Sequence, residues 1–425
     1  MRELERARGF DAALLLNAVL LWVIGIALIH SATHIHQTGP LAGVARSQMI
    51  WSAMGVVLIL IMVSIPTVFY FSFAYIFYGV SLCLLAAILF SPVVSKGASR
   101  WMALGPIRIQ PSEFAKIGLL LALARHLSTK TVSLNRPGSL LVPGLLILVP
   151  FVLVLRQPDL GTAMVFSVMA VPLLFWAGLS LSEMFLLISP GISLVLSLVP
   201  LIIAFGTGES TGVAGSVPWG LFFIFVCAFL YFMRPRVPIL ILVVAANLFT
   251  AGITTVLWNS FLADYQKGRI ISFINPQADP AGAGYQVIQS KVAIGSGALF
   301  GKGYLQGTQT RLSFLPEQHT DFIFSVLGEQ FGLLGCTVVL MMFLFLVVRG
   351  FLGTRSEKNR FTNLLVVGAS SILAFHVFVN VAMTLGMMPV TGLPLPFLSY
   401  GGSFTVTVAI LVGFLLNARV SPQNF

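Results

Sequence analysis

Long apolar runs broken at short polar intervals make up most of this chain. A helix needs about 20 mostly apolar residues to cross the hydrocarbon of a bilayer. Runs of that size fall at 12–33, 46–66, 69–91, 111–128, 138–157, 160–178, 182–206, 216–233, 236–259, 321–349, 361–388 and 397–418. The pattern predicts an all-α polytopic membrane protein with about 12 transmembrane helices. It reads as one integral membrane domain over 1–425: N-terminal spans to 181, a middle group over 182–259, a long polar loop over about 260–320 and C-terminal spans from 321. The least distinct spans are 111–128, which holds Glu113 and Lys116, and the pair 138–157 and 160–178, split only by Pro158 and Asp159. The charged start, MRELERARGFD, leads into the first run without a small-residue cleavage pattern, so that run is expected to stay as a span.

Composition supports the pattern. Hydrophobic residues make up 57% of the chain and charged residues 9%, against about 25% charged in a soluble domain. So few charges cannot cover the surface of a water-soluble globule of this length. The net charge of +11 would point to nucleic acid in a soluble protein. Here basic residues in short loops setting orientation account for it, and no nucleic-acid partner is expected. Cys83, Cys227 and Cys336 all fall within apolar runs and read as small core residues, not as a disulfide set or a metal site.

Charge also sets the expected orientation. With both termini in the cytoplasm, the inner segments hold 13 of the 24 Lys and Arg residues, from Arg2 to Arg419. The 260–320 loop then lies outside. Arg100 and Arg108 sit on the outer side, where short loops usually avoid cations, so anion binding and simple snorkelling to lipid headgroups both stay open for them.

Acids are scarce, 13 in all, and an ionisable group at membrane depth is costly. Glu113 and Lys116 are three apart and share a helix face. Pro111 suits the first turn of that helix, and Glu113 suits its positive end. Asp159, beside a helix break, suits a cap for the helix that follows. The loop segment NPQADPAGAGYQVIQSKVAIGSGALFGKGYLQG carries Asp279 before Pro280, followed by glycines that permit a tight turn. On spacing alone, Asp279 reads as a turn residue, with YQVIQSKVAIGSG as a short surface helix. GSGALFGKGY is not a phosphate-binding P-loop: Ser296 stands where its first glycine would be, and Gly303 replaces the Ser or Thr after Lys302. These readings leave enzyme, transporter and scaffold open.

Five blocks together resemble one family. KGASRWMALGPIRIQPSEFAK, RQPDLGTA, DPAGAGYQVIQSKVAIGSG, GTQTRLSFLPEQHTDFIFSVLGEQFGLLG and MMPVTGLPLPFLSYGGS run in the order seen in the SEDS proteins, the membrane glycosyltransferases of bacterial shape, elongation, division and sporulation. PEQHTDFIF with MPVTGLPLPF resembles the elongation type more than the division type. The resemblance implies a SEDS-type helical bundle in the bacterial inner membrane, with the active site outside. It implies a peptidoglycan glycosyltransferase that polymerises lipid II by inverting transfer and releases undecaprenyl diphosphate. A lipid II flippase is the alternative. The family's essential acid matches Asp279, which becomes the expected general base. Glu113, Lys116 and Asp159 match positions lining the family's central cavity. Lys116, Arg100, Arg108, Lys291 and Lys302 are the candidate cations for the diphosphate. No metal-ligand set is readable, although a divalent cation could assist. The resemblance also implies a class B penicillin-binding protein as partner.

The family pattern has ten spans, with one between the QPDLGT pair and the catalytic loop. Here 182–259 is expected to hold three, a two-helix insertion that keeps the loop on the same side of the membrane.

Overall fold

The computed structural model describes residues 10–34, 41–90, 100–104, 107–133, 138–207, 215–262, 264–278, 282–353 and 359–420. Three helices open the chain: α1 (Ala12–Thr33), α2 (Val44–Ser64) and α3 (Thr67–Leu89). A small antiparallel hairpin follows, β1 (Met102–Leu104) with β2 (Ile107–Ile109), in which Ala103 is paired with Arg108. Then come α4 (Pro111–Thr129), α5 (Gly138–Leu155), α6 (Leu160–Trp176), α7 (Leu181–Thr207), α8 (Val217–Met233) and α9 (Val237–Val256). The polar stretch contributes α10 (Asp264–Ile274), α11 (Ala283–Ser296) and the single turn α12 (Thr308–Arg311). The chain ends with α13 (Ile323–Gly353), α14 (Arg360–Thr384) and α15 (Gly402–Val420). Each of the twelve predicted spans has a helix. Among the described residues, nine of these meet the length and apolarity needed to cross a bilayer, and α6 and α8 are shorter apolar helices.

The apolar runs alone do not say which helices are central. In α14 and α15 the apolar windows are 72% and 83% buried, against 17% in α5 and α7. The central pair packs with α4, α6 and α2, while α5 and α7 turn most of their surface outward, as lipid-facing helices do. The unusually polar α4 lies nearly wholly inside, where its charges can be paired. Of the cysteines only Cys336 is buried. Cys83 faces outward and Cys227 is half-buried, because their helices α3 and α8 are peripheral. The core expectation for these two is therefore corrected.

The α7–α9 group is a satellite. α8 and α9 pack on α7 and on each other, and Leu186, Val226, Leu230, Ile239 and Val243 form a small core of their own, apart from the main one.

One end of the bundle is tied by an acid. Asp11 caps α1, its carboxylate accepting from Leu14 N (3.1 Å). The same carboxylate pairs with Arg349 on α13 (2.6 Å) and Arg419 on α15 (2.5 Å). At that end too, Arg360 donates to the carbonyls of Lys130 and Ala177, at the ends of α4 and α6.

Toward the other end, α13 breaks at Gly332 (φ 62°, ψ −161°). A break inside a membrane helix releases backbone groups that need new partners. Here the loop supplies them. Lys302 N and Gly303 N donate to the Glu329 and Gln330 carbonyls (3.0 Å each), and Leu333 N and Leu334 N donate to those of Ala298 and Leu299 (2.9 and 3.1 Å). The polar loop is thus built into the bundle.

Candidate active site

Two charged groupings among the described residues hold the sequence candidates Arg100, Asp159, Glu113 and Lys116, one open and one sealed. The open one is a cavity of about 120 Å³ lined by Arg100, Asp159, Gln266, Arg269, Val390 and Thr391, among others. Asp159 caps α6 as its position suggested, accepting from Thr162 N (3.2 Å) and Thr162 Oγ1 (2.9 Å). Arg100 lies 3.9 Å from that carboxylate and donates to the Gln157 and Pro158 carbonyls. Arg269 comes from α10 and donates to the Val390 carbonyl (3.2 Å).

The segment 386–401 forms one wall of this cavity and is not helical. Pro389, Pro394 and Pro396 lack the N–H a helix would use. The segment is held instead by Asn380 Nδ2, which bridges the Asp321 and Leu393 carbonyls, and by Ser399 Oγ, which donates to Thr320 O (2.6 Å). The predicted span from 397 therefore starts as a helix only at Gly402.

The sealed grouping lies between α4, α14 and α15. Lys116 Nζ donates to Glu113 Oε1 (2.8 Å) and lies 3.1 Å from His376 Nε2. The ring of Phe404 is 5.5 Å from the same ammonium. An ammonium has only donors, so His376 accepts through Nε2. Its Nδ1–H then points to the Pro394 carbonyl, 3.2 Å away. Pro394 belongs to the wall segment, so the triad touches the segment that lines the open cavity.

The remaining sequence candidates are dispersed. Arg108 is exposed on β2, and just after this strand Gln110 N donates to the Ser403 hydroxyl of α15 (3.2 Å). Lys291 is exposed on α11 and lies over Gly386, at the start of the wall segment. Lys302 is paired with Glu329 (3.0 Å), and that buried carboxylate also accepts from Gln309 N (2.8 Å), Thr310 N (3.0 Å) and Thr310 Oγ1 (2.7 Å). Lys302 thereby fastens the loop to α13. Asp279 lies outside the described residues. Its described neighbours are the turn Pro276–Ala278 and Gly282, which caps α11.

Arg269 and Gln266 were not among the sequence candidates. They sit three apart on α10, one helix face of YQKGRI, in a stretch that reads as loop because it is polar.

A polytopic helical bundle with two arginines and an aspartate around one cavity, walled by a folded non-helical segment, is a site suited to an anionic group at the edge of the membrane. The family described as cell cycle proteins (FtsW, RodA, SpoVE) matches residues 12–209 and 217–424. The chain belongs to this family. It is 35% identical over 402 residues to the peptidoglycan glycosyltransferase MrdB of Escherichia coli K12, covering 94% of this chain and 91% of that protein. It is 36% identical over 437 residues to the peptidoglycan glycosyltransferase RodA of Treponema pallidum, covering 97% and 99%. It also shares its fold, at a TM-score of 0.69 and 28% identity, with a chain of a peptidoglycan synthase complex that coordinates polymerization and crosslinking, covering 96% and 97%. The elongation-type resemblance agrees with these relatives. The break in the family match, 210–216, falls between α7 and α8.

Proposed function

We propose that this chain is a peptidoglycan glycosyltransferase of the elongation type, which lengthens glycan strands from lipid II. The observation that carries the mechanism is the pairing of Arg100 and Arg269 in one cavity with Asp159. A departing diphosphate needs positive charge that is already in place, and two guanidiniums held by backbone carbonyls supply it without reorganisation. Asp159, tied to the start of α6, would keep Arg100 turned into the cavity. Asp279 is the assigned general base, taking the proton of the acceptor sugar hydroxyl as the new bond forms. The α-linked donor and β-linked product imply one inverting displacement, with the electron pair of the cleaved bond leaving on undecaprenyl diphosphate.

The sealed Glu113–Lys116–His376 triad would set the position of the wall segment through Pro394. The basic ends of α4, α9, α13 and α15 support an orientation in the inner membrane with the termini in the cytoplasm and the cavity outside. The partner would be a class B penicillin-binding protein, in keeping with the synthase complex whose fold the chain shares. An apolar groove between α13 and α14, about 420 Å³, with the small Ala374 and Ala382 in its lining, is the surface we assign to that partner's membrane helix.

The test is a lipid II polymerisation assay with purified wild type and Asp279→Asn, with and without the partner and with a chelator. Loss of polymer in the folded variant supports the assignment, and normal polymer overturns it. Loss only with the chelator would reveal a divalent cation acting on the diphosphate. Translocation of lipid II without polymer would favour a flippase.

A further inference from the structure

The satellite helices form a second cavity, of about 420 Å³, at the end of the bundle opposite the proposed active site. Its polar rim is Ser133, Ser180, Glu183, Arg234 and Arg236, and Leu186, Met233 and Ile239 extend it toward the apolar part of α7, α8 and α9. We infer that this cavity is a binding site for the phosphate-bearing headgroup of an anionic membrane lipid.

The rim is built. Ser180 and Glu183 form a capping box on α7: Ser180 N donates to Glu183 Oε2 (2.9 Å), and Glu183 N donates to Ser180 Oγ (3.3 Å). Ser133 Oγ also donates to Glu183 Oε1 (3.2 Å). Both carboxylate oxygens are therefore engaged by the start of α7 and its neighbour. Two guanidiniums against this one carboxylate leave the rim at +1.

The arginines are displayed by a stiff turn, MRPRVP. Arg234 ends α8 in the left-handed region (φ 47°), and its N–H is bonded to Leu230 O (2.9 Å). Pro235 follows it, and Arg236 caps α9 ahead of Pro238. Prolines restrict the backbone of such a turn, so less freedom is lost when a ligand is bound. A guanidinium fork matches phosphate oxygens. The apolar side of the cavity distinguishes the two sources of that phosphate: a free anion gains nothing from Leu186, Met233 and Ile239, whereas an acyl chain does. The site depends on the α8–α9 turn, so it gives the satellite helices a task.

The experiment uses the full chain purified in mild detergent. Binding of phosphatidylglycerol, phosphatidylcholine and inorganic phosphate is followed by native mass spectrometry and by thermal unfolding. Wild type is expected to retain and be stabilised by phosphatidylglycerol, and not by the other two. In R234Q/R236Q, phosphatidylglycerol affinity is expected to fall about 30-fold, from about 1 kcal/mol for each arginine. Should the double variant fail to fold, R236Q alone is expected to show a fall of about fivefold. Unchanged phosphatidylglycerol binding in the glutamine variants, or equal binding of phosphatidylcholine by wild type, overturns the inference. Displacement and equal stabilisation by inorganic phosphate would overturn the lipid as occupant and leave a free anion in its place.

Discussion

Lys116 and Glu113 are paired at 2.8 Å with almost no contact with water: the side chains are 0% and 4% exposed. An ion pair so deep is held by its geometry. Removing one partner of such a pair costs about 3–5 kcal/mol, because the other charge is left buried and uncompensated. Lys116→Met and Glu113→Leu are each expected to lower the unfolding midpoint strongly, and the double variant much less than the sum of the two. A double-mutant cycle on purified protein measures this, and strict additivity would mean the contact is not an energetic unit.

The Arg100–Arg269 pairing gives a kinetic expectation. Hydrogen bonds to a charged group are worth about 1.5–3 kcal/mol, so Arg269→Ala should reduce polymerisation efficiency by about 10- to 100-fold. Arg269 is half-buried and borders the cavity, so folding should survive the change. Arg269→Lys should restore part of the rate, because it returns the charge without the fork. Initial rates on lipid II, against the unfolding midpoint of each variant, separate this from a structural loss.

Arg269 also shows where a sequence reading stops. The membrane helices were legible because hydrocarbon demands long apolar runs, and they emerge with boundaries shifted by a few residues. Asp159 as a cap and Glu113–Lys116 as a pair were legible because both are local, at spacings of three. Arg269 was not, since what brings it to Asp159 is the packing of α10 against the wall segment, more than a hundred residues away in sequence. His376 was hidden for the same reason: one histidine in an apolar run carries no sign that Lys116 lies beside it. The break at Gly332 was masked because the apolar run resumes directly after Glu329 and Gln330, so 323–353 reads as a single span.

The Asp11 clamp gives a pH dependence. Burial alone pushes the Asp11 carboxyl up, but the Arg349 hydrogen bond, the Leu14 N–H and the charges of Arg419 and Arg349 outweigh it and hold it below its ordinary value of 3.8. A carboxyl depressed in the folded state stabilises above that value, and the stability is lost as pH falls through the lower folded one. Wild type should therefore unfold at a higher temperature than Asp11→Asn at neutral pH and still at pH 4. The two curves should converge only in stronger acid. Thermal unfolding across pH checks this, and a difference that vanished near pH 6 would contradict it.

Glu329 and Gly332 fasten the polar loop to α13, and this attachment can be measured directly. Glu329 accepts from Lys302 Nζ and from the backbone of Gln309 and Thr310, so Glu329→Ala should speed amide exchange at Gln309 and Thr310 most. The attachment lost is about 2–4 kcal/mol, the range for a buried charge with several donors left unpaired. Lys302→Ala removes one donor and leaves the backbone bonds, so its effect on the same amides should be smaller. Gly332→Ala attacks the other side of the joint. A methyl there would lie 2.4 Å from Gly301 N and 2.6 Å from Leu299 O, at a φ of 62° that side chains rarely adopt. Those contacts are with backbone, which cannot swing aside, so the loop must part from the helix. Hydrogen exchange should then rise at Lys302, Gly303, Leu333 and Leu334, whose N–H groups join the two segments. Protection at those four amides equal to wild type would show that the break and the loop are independent. If they are coupled, polymerisation should fall in Gly332→Ala even though neither residue borders the Arg100–Arg269 cavity.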